Sequence, residues 1–275
     1  MKEKVYLYKM DEETLLREES EIFELLPEWR KEKVQKIKPQ GARLQSIAAG
    51  RLLDIAISKY LNIDISEVKW DFRAQYFDQE QKENAVINYY AFSDNKNSKK
   101  NSSKNLNENL DNDAVNIIYY NISHAGNYVA VAISETSVGI DVENKEDKDF
   151  KVTRRFFAPK EVECITGDLG DLFKNQCRFR DVWTMKEAFL KCVGTGINTS
   201  LGGFEGDIRK DYEDGSGTSE GVIVSVKSGD RNGYDLQGKE YHFVTARLDT
   251  GEYSLTICSE NPKLTLDIER VEVLL

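Results

Sequence analysis

The sequence is poor in the residues that staple small scaffolds or bind soft metals. Its four cysteines, Cys164, Cys177, Cys192 and Cys258, form no C-x-x-C pair, and 275 residues contain two histidines. Neither a zinc framework nor a disulfide scaffold is implied, and the cysteines read as buried thiols of a reducing compartment. No apolar run approaches the roughly 20 residues of a membrane span. The opening stretch "MKEKVYLYKMDEETLLREE" lacks the apolar core of a signal peptide. A soluble, cytoplasmic protein without a membrane partner is expected. Positive charge is in the minority too: 38 Lys and Arg against 48 Asp and Glu give a formal charge of -10. That balance argues against nucleic acid as a partner, so a polyanionic ligand has to find a local basic site.

Apolar residues make up 40% of the chain, enough for a sizeable core. "KVYLY" reads as a strand. From Thr14 to Tyr60 apolar and charged residues alternate at helical spacing, with Ile47, Leu52, Ile55 and Ala56 on one side of the last helix. Residues 94–113, nearly all Asn, Ser, Lys and acids, bury too little to order themselves and are expected to form a mobile loop. "NIIYYNISHAGNYVAVAIS" gives two strands about the turn "HAGN", and "VGIDVE" adds a third, which predicts a three-strand meander. "DFKVTRRFFAPKEVECI" and "QCRFRDVWTMKEAFLKCVG" read as helices, the second ended by Gly194 and Gly196, and strands follow from Gly203.

A faint internal repeat runs through this pattern. "GNYVAVAIS" from Gly126 resembles "GEYSLTICS" from Gly251, and "GIDVE" ending at Glu143 resembles "TLDIE" ending at Glu269, at nearly the same offset. The expected fold is therefore α+β in two similar halves related by a pseudo-twofold, each an antiparallel sheet with helices packed against it. The halves are drawn at 1–137 and 138–275, with the ligand in the groove between them.

In "VGIDVENKED" the side chains of Asp141 and Glu143 leave the same face of an extended chain, where like charges repel unless something positive lies between them. Gly139 before them would admit a bound pyrophosphate or serve the turn after Ser137. On the helix "DVWTMKEAFLKCVGTG", Val182, Met185, Phe189 and Cys192 form the apolar stripe, while Glu187 and Lys191 are neighbours at i and i+4. Glu187 added to Asp141 and Glu143 would make an all-oxygen site for a hard cation such as Mg²⁺, with Lys191 one turn away to hold a bridging phosphate. Ser123 and His124, with Asp141 downstream, do not read as a hydrolytic triad. Adjacent strand residues face opposite ways, and no G-x-S-x-G elbow occurs. Asp267 and Glu269 repeat the spacing of the first acidic pair without a W-x-x-K-E helix behind them, and read as a solvated strand edge. Trp183 reads as helix packing, and Arg154, Arg155 and Lys160 as a solvated helix face or a docking surface for an acidic protein.

Taken in order, "NISHAGNYVAVAIS", "VGIDVE", "RRFFAPKE" and "VWTMKEAFLKCVGTGI" resemble the motifs of the 4′-phosphopantetheinyl transferases, specifically the large surfactin-synthetase-activating type. "PEWRKEKVQKIKPQGARLQSIAAGRLL" is similar to that family's N-terminal basic helix and the Ser or Thr that follows it. The resemblance implies that Asp141, Glu143 and Glu187 bind Mg²⁺ and that Lys191 contacts the coenzyme A phosphates. It also implies that Ser123 and His124 grip the same co-substrate, that Arg30 and Lys33 meet its adenosine 3′-phosphate end, and that Ser46 meets a further phosphate. Glu161 matches an acid near the reaction centre. Members move the phosphopantetheine arm of coenzyme A onto a serine of an apo acyl or peptidyl carrier protein and release adenosine 3′,5′-bisphosphate. They serve fatty acid, polyketide or nonribosomal peptide biosynthesis.

That chemistry accounts for the residue types. Charge grows on phosphate oxygens as the serine attacks, so a cation held by carboxylates and a lysine at the leaving side are what the step needs. The base that takes the serine proton is expected to be Glu187, with Glu161 second. The chain departs from the family in lacking a "GKP" segment before "NISH". A monomer is expected. The competing readings are a coenzyme A-binding protein without turnover and a metal-dependent pyrophosphohydrolase.

Overall fold

The computed structural model describes residues 3–65, 75–77, 86–93, 115–144, 156–166, 171–195, 201–210, 218–225, 236 and 238–275. The loop expected at 94–113, Arg154, Arg155 and Gly196 lie outside the described residues. Strand β1 (Lys4–Lys9) leads into α1 (Glu12–Leu25), α2 (Glu28–Gln35) and α3 (Gln40–Leu61). Next come β2 (Gln75–Phe77), β3 (Val86–Ser93), β4 (Val115–Ala125), β5 (Tyr128–Ser134) and β6 (Val138–Asn144). Helices α4 (Pro159–Thr166) and α5 (Leu172–Val193) precede β7 (Phe204–Lys210), β8 (Thr218–Ser225), β9 (Tyr241–Leu248), β10 (Tyr253–Ser259) and β11 (Ile268–Arg270).

The strands form two sheets, in the orders β11-β1-β5-β4-β3-β2 and β6-β10-β9-β8-β7. Among the described residues every pairing is antiparallel except β1 with β11. Among the described residues no helix is long and apolar enough to cross a membrane.

Strand alternation builds the layers. Tyr6, Tyr8, Val129, Val131 and Ile133 pack against Leu15, Ile22, Ile47 and Leu52 of the first three helices. The opposite face of the same strands, Val5, Leu7, Ala130 and Ala132, meets Ile140, Val142, Leu255 and Ile257 of the second sheet. On the outer face of that second sheet Phe204, Phe243 and Cys258 lie under Met185, Phe189 and Cys192 of α5. The order is helices, sheet, sheet, helices, so β5 and most of β6 are buried on both faces. Because Ile140 and Val142 point between the sheets, Gly139, Asp141 and Glu143 must point toward α5.

The expected meander is corrected here. β4 and β5 form the hairpin about Gly126, but β6 leaves it and becomes the edge of the second sheet beside β10. Side chains replace the missing ladder: Asn121 Oδ1 accepts from Ile140 N (3.2 Å), and Ser123 Oγ accepts from Val142 N (3.2 Å). Asp267 and Glu269 do lie on a solvated strand edge, since β11 is the outermost strand of the first sheet, with Asp267 exposed and Glu269 half-buried. β11 is hydrogen-bonded beside β1, and Glu269 receives Lys59 at 2.6 Å and Lys4 at 3.3 Å.

The two sets of elements share details. α3 and α5 each have 22 residues and each ends on a left-handed residue, Asn62 or Gly194. Tyr128 and Tyr253 open their strands, meet edge to face at 4.9 Å, and each reaches the other's turn. The Tyr128 hydroxyl donates to Asp249 Oδ1 (3.0 Å), and Asn127 N donates to the Tyr253 hydroxyl (3.3 Å).

Candidate active site

The site starts from the edge of β6. Gly139 lies directly beneath α5: a Cβ there would overlap the Ala188 carbonyl and crowd Cys192 N. The reason for this glycine is thus the close approach of the helix, not the phosphate approach or the turn first considered. Ser137 Oγ donates to the Cys192 carbonyl and fastens the same turn of α5. Farther along, Thr184 Oγ1 meets Thr256 Oγ1 at 2.7 Å, and Asp181 accepts from Ser254 (2.6 Å) and from two nitrogens of Arg247 (2.7 and 3.1 Å). These contacts hold α5 close against the sheet.

With α5 so placed, Lys191 Nζ donates to Asp141 Oδ1 (2.7 Å), Ser123 Oγ (3.1 Å) and the Ile140 carbonyl (3.2 Å). Ser123 in turn donates to Asp141 Oδ1 (2.9 Å). With one proton and two lone pairs all engaged inside the protein, the Ser123 hydroxyl is an organiser of Asp141. Asp141 is 5% exposed, and its Oδ2 is buried with no hydrogen-bond partner. A buried carboxylate oxygen left in that state is costly unless a ligand completes it.

Glu143 follows on the same face of β6, half-buried, and Glu187 is half-buried on α5. A hard cation suits this set in its donors, all carboxylate oxygens, and in the orphaned Asp141 Oδ2. The three side chains do not stand as a closed cluster: among the described residues no three of His, Cys, Asp and Glu are grouped to hold a metal. Lys191, rather than a second carboxylate, is the group that faces Asp141.

A positive field adjoins this seam from the first half of the chain. His124 is the penultimate residue of β4 and is exposed. Partial loss of water, then the charges of Lys191, Arg30 and Lys33, push its pKa below the usual 6.5. Three cations from α2 and α5 therefore act on one imidazole, neutral at pH 7. Arg30 is buried, lies 5.0 Å from the Trp29 ring and leaves Nε without a hydrogen-bond partner. Gly50 of α3 makes room for it, since a Cβ there would press on Arg30 Nε and Leu26. Burial draws the pKa of Arg30 down, yet a guanidinium stays charged at neutral pH. Lys33 is exposed, with its pKa lowered by desolvation and then by Arg30. Ser46 is buried on α3 next to Gln45, whose amide donates to the Gly126 carbonyl in the β4–β5 turn (2.9 Å).

Glu161 lies in a different constellation. It is the third residue of α4, 3% exposed, and its Oε2 accepts from Ala158 N (2.9 Å) and Lys186 Nζ (2.8 Å) while Oε1 accepts from Gly206 N (3.0 Å). Lys186, absent from the expected site, was legible as a lysine at i, i+4, i+7 with Val182 and Phe189 on the buried face of the helix. Trp183 packs against Phe179 (6.1 Å) and Phe157 (6.2 Å), as read from the sequence. Lys160 is exposed and pairs with Glu205 at 3.3 Å.

Residues 137–258, from just before β6 to the end of β10, match the model of the 4′-phosphopantetheinyl transferase superfamily. That match covers less than half of the chain and states what this segment resembles. The chain is 28% identical over 152 residues to a 4′-phosphopantetheinyl transferase of Bacillus subtilis, covering 55% of this chain and 59% of the relative. It is 33% identical over 93 residues to the 4′-phosphopantetheinyl transferase psf-1 of Bacillus pumilus, covering 34% and 39%. To the 4′-phosphopantetheinyl transferase Sfp of Bacillus subtilis strain 168 it is 26% identical over 153 residues, covering 56% and 60%. The chain thus spans less than two thirds of each of these relatives. The superfamily segment carries β6, α5 and the Asp141–Lys191 contact, whereas Arg30, Lys33, Ser46, Ser123 and His124 precede it.

Proposed function

We propose that the protein is a phosphopantetheinyl transferase that moves the 4′-phosphopantetheine arm of coenzyme A onto a serine of an apo acyl or peptidyl carrier protein. The observation that carries this reading is the convergence of Lys191 with Arg30 and Lys33 on His124, beside a buried carboxylate with one oxygen uncompleted. A neutral or basic ligand has no use for such a field. A doubly phosphorylated one with a bridging pyrophosphate does.

In the proposed step the carrier serine oxygen bonds to the phosphorus bearing the pantetheine arm. The bond from that phosphorus to the bridging oxygen breaks, and adenosine 3′,5′-bisphosphate leaves with the electron pair. Glu187, half-buried on α5, takes the serine proton. Lys191 holds the phosphate on the leaving side, and Arg30, Lys33 and Ser46 receive the adenosine end, with His124 as a neutral hydrogen-bonding partner between them. Asp141, Glu143 and Glu187 would hold Mg²⁺, which when bound neutralises charge on the phosphate oxygens. Ser123 and Lys191 hold Asp141 ready, so its free oxygen is aimed before any ligand arrives.

We further read the chain as two halves, 1–137 and 138–275, descended from one unit. The paired 22-residue helices and the reciprocal Tyr128 and Tyr253 contacts support this. A pseudo-twofold through those tyrosines makes a one-chain site natural, with a monomer in the cytoplasm, serving fatty acid, polyketide or peptide synthesis. Incubation with coenzyme A, Mg²⁺ and apo carrier proteins tests the reading through the carrier's mass. A gain of one phosphopantetheine supports it, and folded protein that modifies none of several carriers removes it.

A further inference from the structure

We propose that the buried pair Glu161–Lys186 is the positioning element of this site: it sets the rotation of α5 that presents Glu187 and Lys191 to β6, and Glu161 takes no proton from the substrate. The inference rests on the transferase reading for its kinetic arm and is independent of it for its structural arm.

Lys186 is 0% exposed, and all three of its donor directions are filled. They go to Glu161 Oε2 (2.8 Å), the Leu201 carbonyl (2.7 Å) and the Phe204 carbonyl (2.7 Å). The ammonium also lies 4.3 Å from the Phe204 ring centre. Glu161 is equally committed. Its bond from Ala158 N is the N3-to-N-cap half of a capping box for α4, behind Pro159 at the first helical position. Its bond from Gly206 N ties in β7. A general base has to lie within hydrogen-bond reach of the proton it removes, and both oxygens here face inward to protein donors.

The pair nevertheless has a direct line to the chemistry. Lys186 and Glu187 are consecutive on α5, about 100° apart around the axis, and Lys191 lies further round. Anchoring Lys186 to α4, to the turn Leu201–Gly203 and to β7 on one side therefore fixes where Glu187 and Lys191 point on the other. Desolvated ion pairs are poor sources of net stability compared with apolar packing, and removal of one partner alone is what costs most. A pair kept in that condition beside the site is explained by the geometry it enforces.

The test compares the parent with Glu161→Gln, Lys186→Met and the double variant, each held well below its unfolding midpoint. The single variants should lose kcat by roughly a hundredfold, as a displacement near 1 Å does, with the KM for coenzyme A nearly unchanged. Amides of α5 after residue 186 should exchange faster. The double variant, which lacks the anchor as well, should show a similar loss of kcat and similarly fast exchange, with the parent pH profile kept. A folded double variant as inactive as Glu161→Gln, with parent-like exchange in α5, would overturn the proposal and make Glu161 a chemical participant. A folded Glu161→Gln with unchanged kcat and exchange would overturn it too. If Glu161→Gln does not fold, transfer by the double variant alone excludes a proton-transfer role. If the parent transfers nothing, the transferase reading fails, and the exchange pattern of the variants still decides the positioning role.

Discussion

Lys191 Nζ stands 2.7 Å from Asp141 Oδ1, and this contact joins the C-terminal turn of α5 to β6, which among the described residues is the edge strand of its sheet. Ser123 and Asn121 of β4 complete the edge, so the Asp141 carboxylate is held between Ser123 of the first sheet and Lys191 of α5. Replacing Lys191 by Met should leave the fold intact and lower turnover by about 10² to 10³, the range for removing one preorganised charge from a phosphate site. Steady-state transfer to an apo carrier, with circular dichroism as the fold control, measures it.

Removal of divalent cations should abolish transfer, and added Mg²⁺ should restore it. Asp141→Asn should keep coenzyme A binding measurable by calorimetry while raising the Mg²⁺ concentration needed for half-maximal turnover, because in the proposed site the orphaned Oδ2 would take the cation. Unchanged Mg²⁺ dependence in this variant would remove Asp141 from the metal site.

Gly139→Ala should destabilise the protein by about 3 kcal/mol, since its Cβ would strike the backbone of α5 and the helix cannot retreat without losing its packing. Gly41→Ala, in the first turn of α3 with nothing within reach of the new methyl, should be neutral or stabilise by up to ~1 kcal/mol. Urea unfolding of the two variants gives the comparison.

His124 carries a pH signature whose sign follows from its surroundings. Its folded pKa is below the unfolded value of 6.5, so the folded state binds this proton more weakly. Its contribution to stability is full above pH 6.5 and falls as pH drops through the window down to the folded pKa. An anion bound beside it reverses the effect by favouring the imidazolium. Coenzyme A binding should therefore tighten as pH is lowered below 6.5, and His124→Gln should flatten that dependence in calorimetric titrations.

Glu269 has the same sign in a more acidic window. Its hydrogen bond from Lys59, set against some desolvation, holds its pKa below 4.5. The stabilisation is present above about pH 4.5 and is lost as pH falls through the depressed value. The pair is solvent-screened, so its loss should be felt locally. Lys59→Met should speed hydrogen exchange in β11 and the adjoining edge of β1, with the unfolding midpoint little changed.

Much of this arrangement is legible in the sequence because local periodicity and the layered fold agree. The alternation of "VGIDVE" places Asp141 and Glu143 on one face, and the stripe Val182, Met185, Phe189, Cys192 marks the buried side of α5. Two features escape for one physical reason. That β6 abandons its hairpin neighbours for β10 is decided by long-range packing of α5 on Gly139. That Glu161 belongs to a buried lysine rather than to the seam depends on how α4, α5 and β7 come together. Local patterns report which face a residue takes, and partners distant in sequence are set by the assembled layers. The pairing of Asp267 and Glu269 with Lys4 and Lys59 is of the same kind.

The central claim is that the Asp141–Lys191 seam and the cations around His124 form a phosphopantetheine transfer site. The most direct measurement is the intact mass of apo carrier proteins after incubation with the protein, coenzyme A and Mg²⁺, run beside Asp141→Asn and Lys191→Met. The predicted result is a gain of one phosphopantetheine with the parent and a strongly slowed gain with either variant. A folded parent that binds coenzyme A yet leaves every carrier unmodified, or variants that transfer at the parent rate, would contradict it.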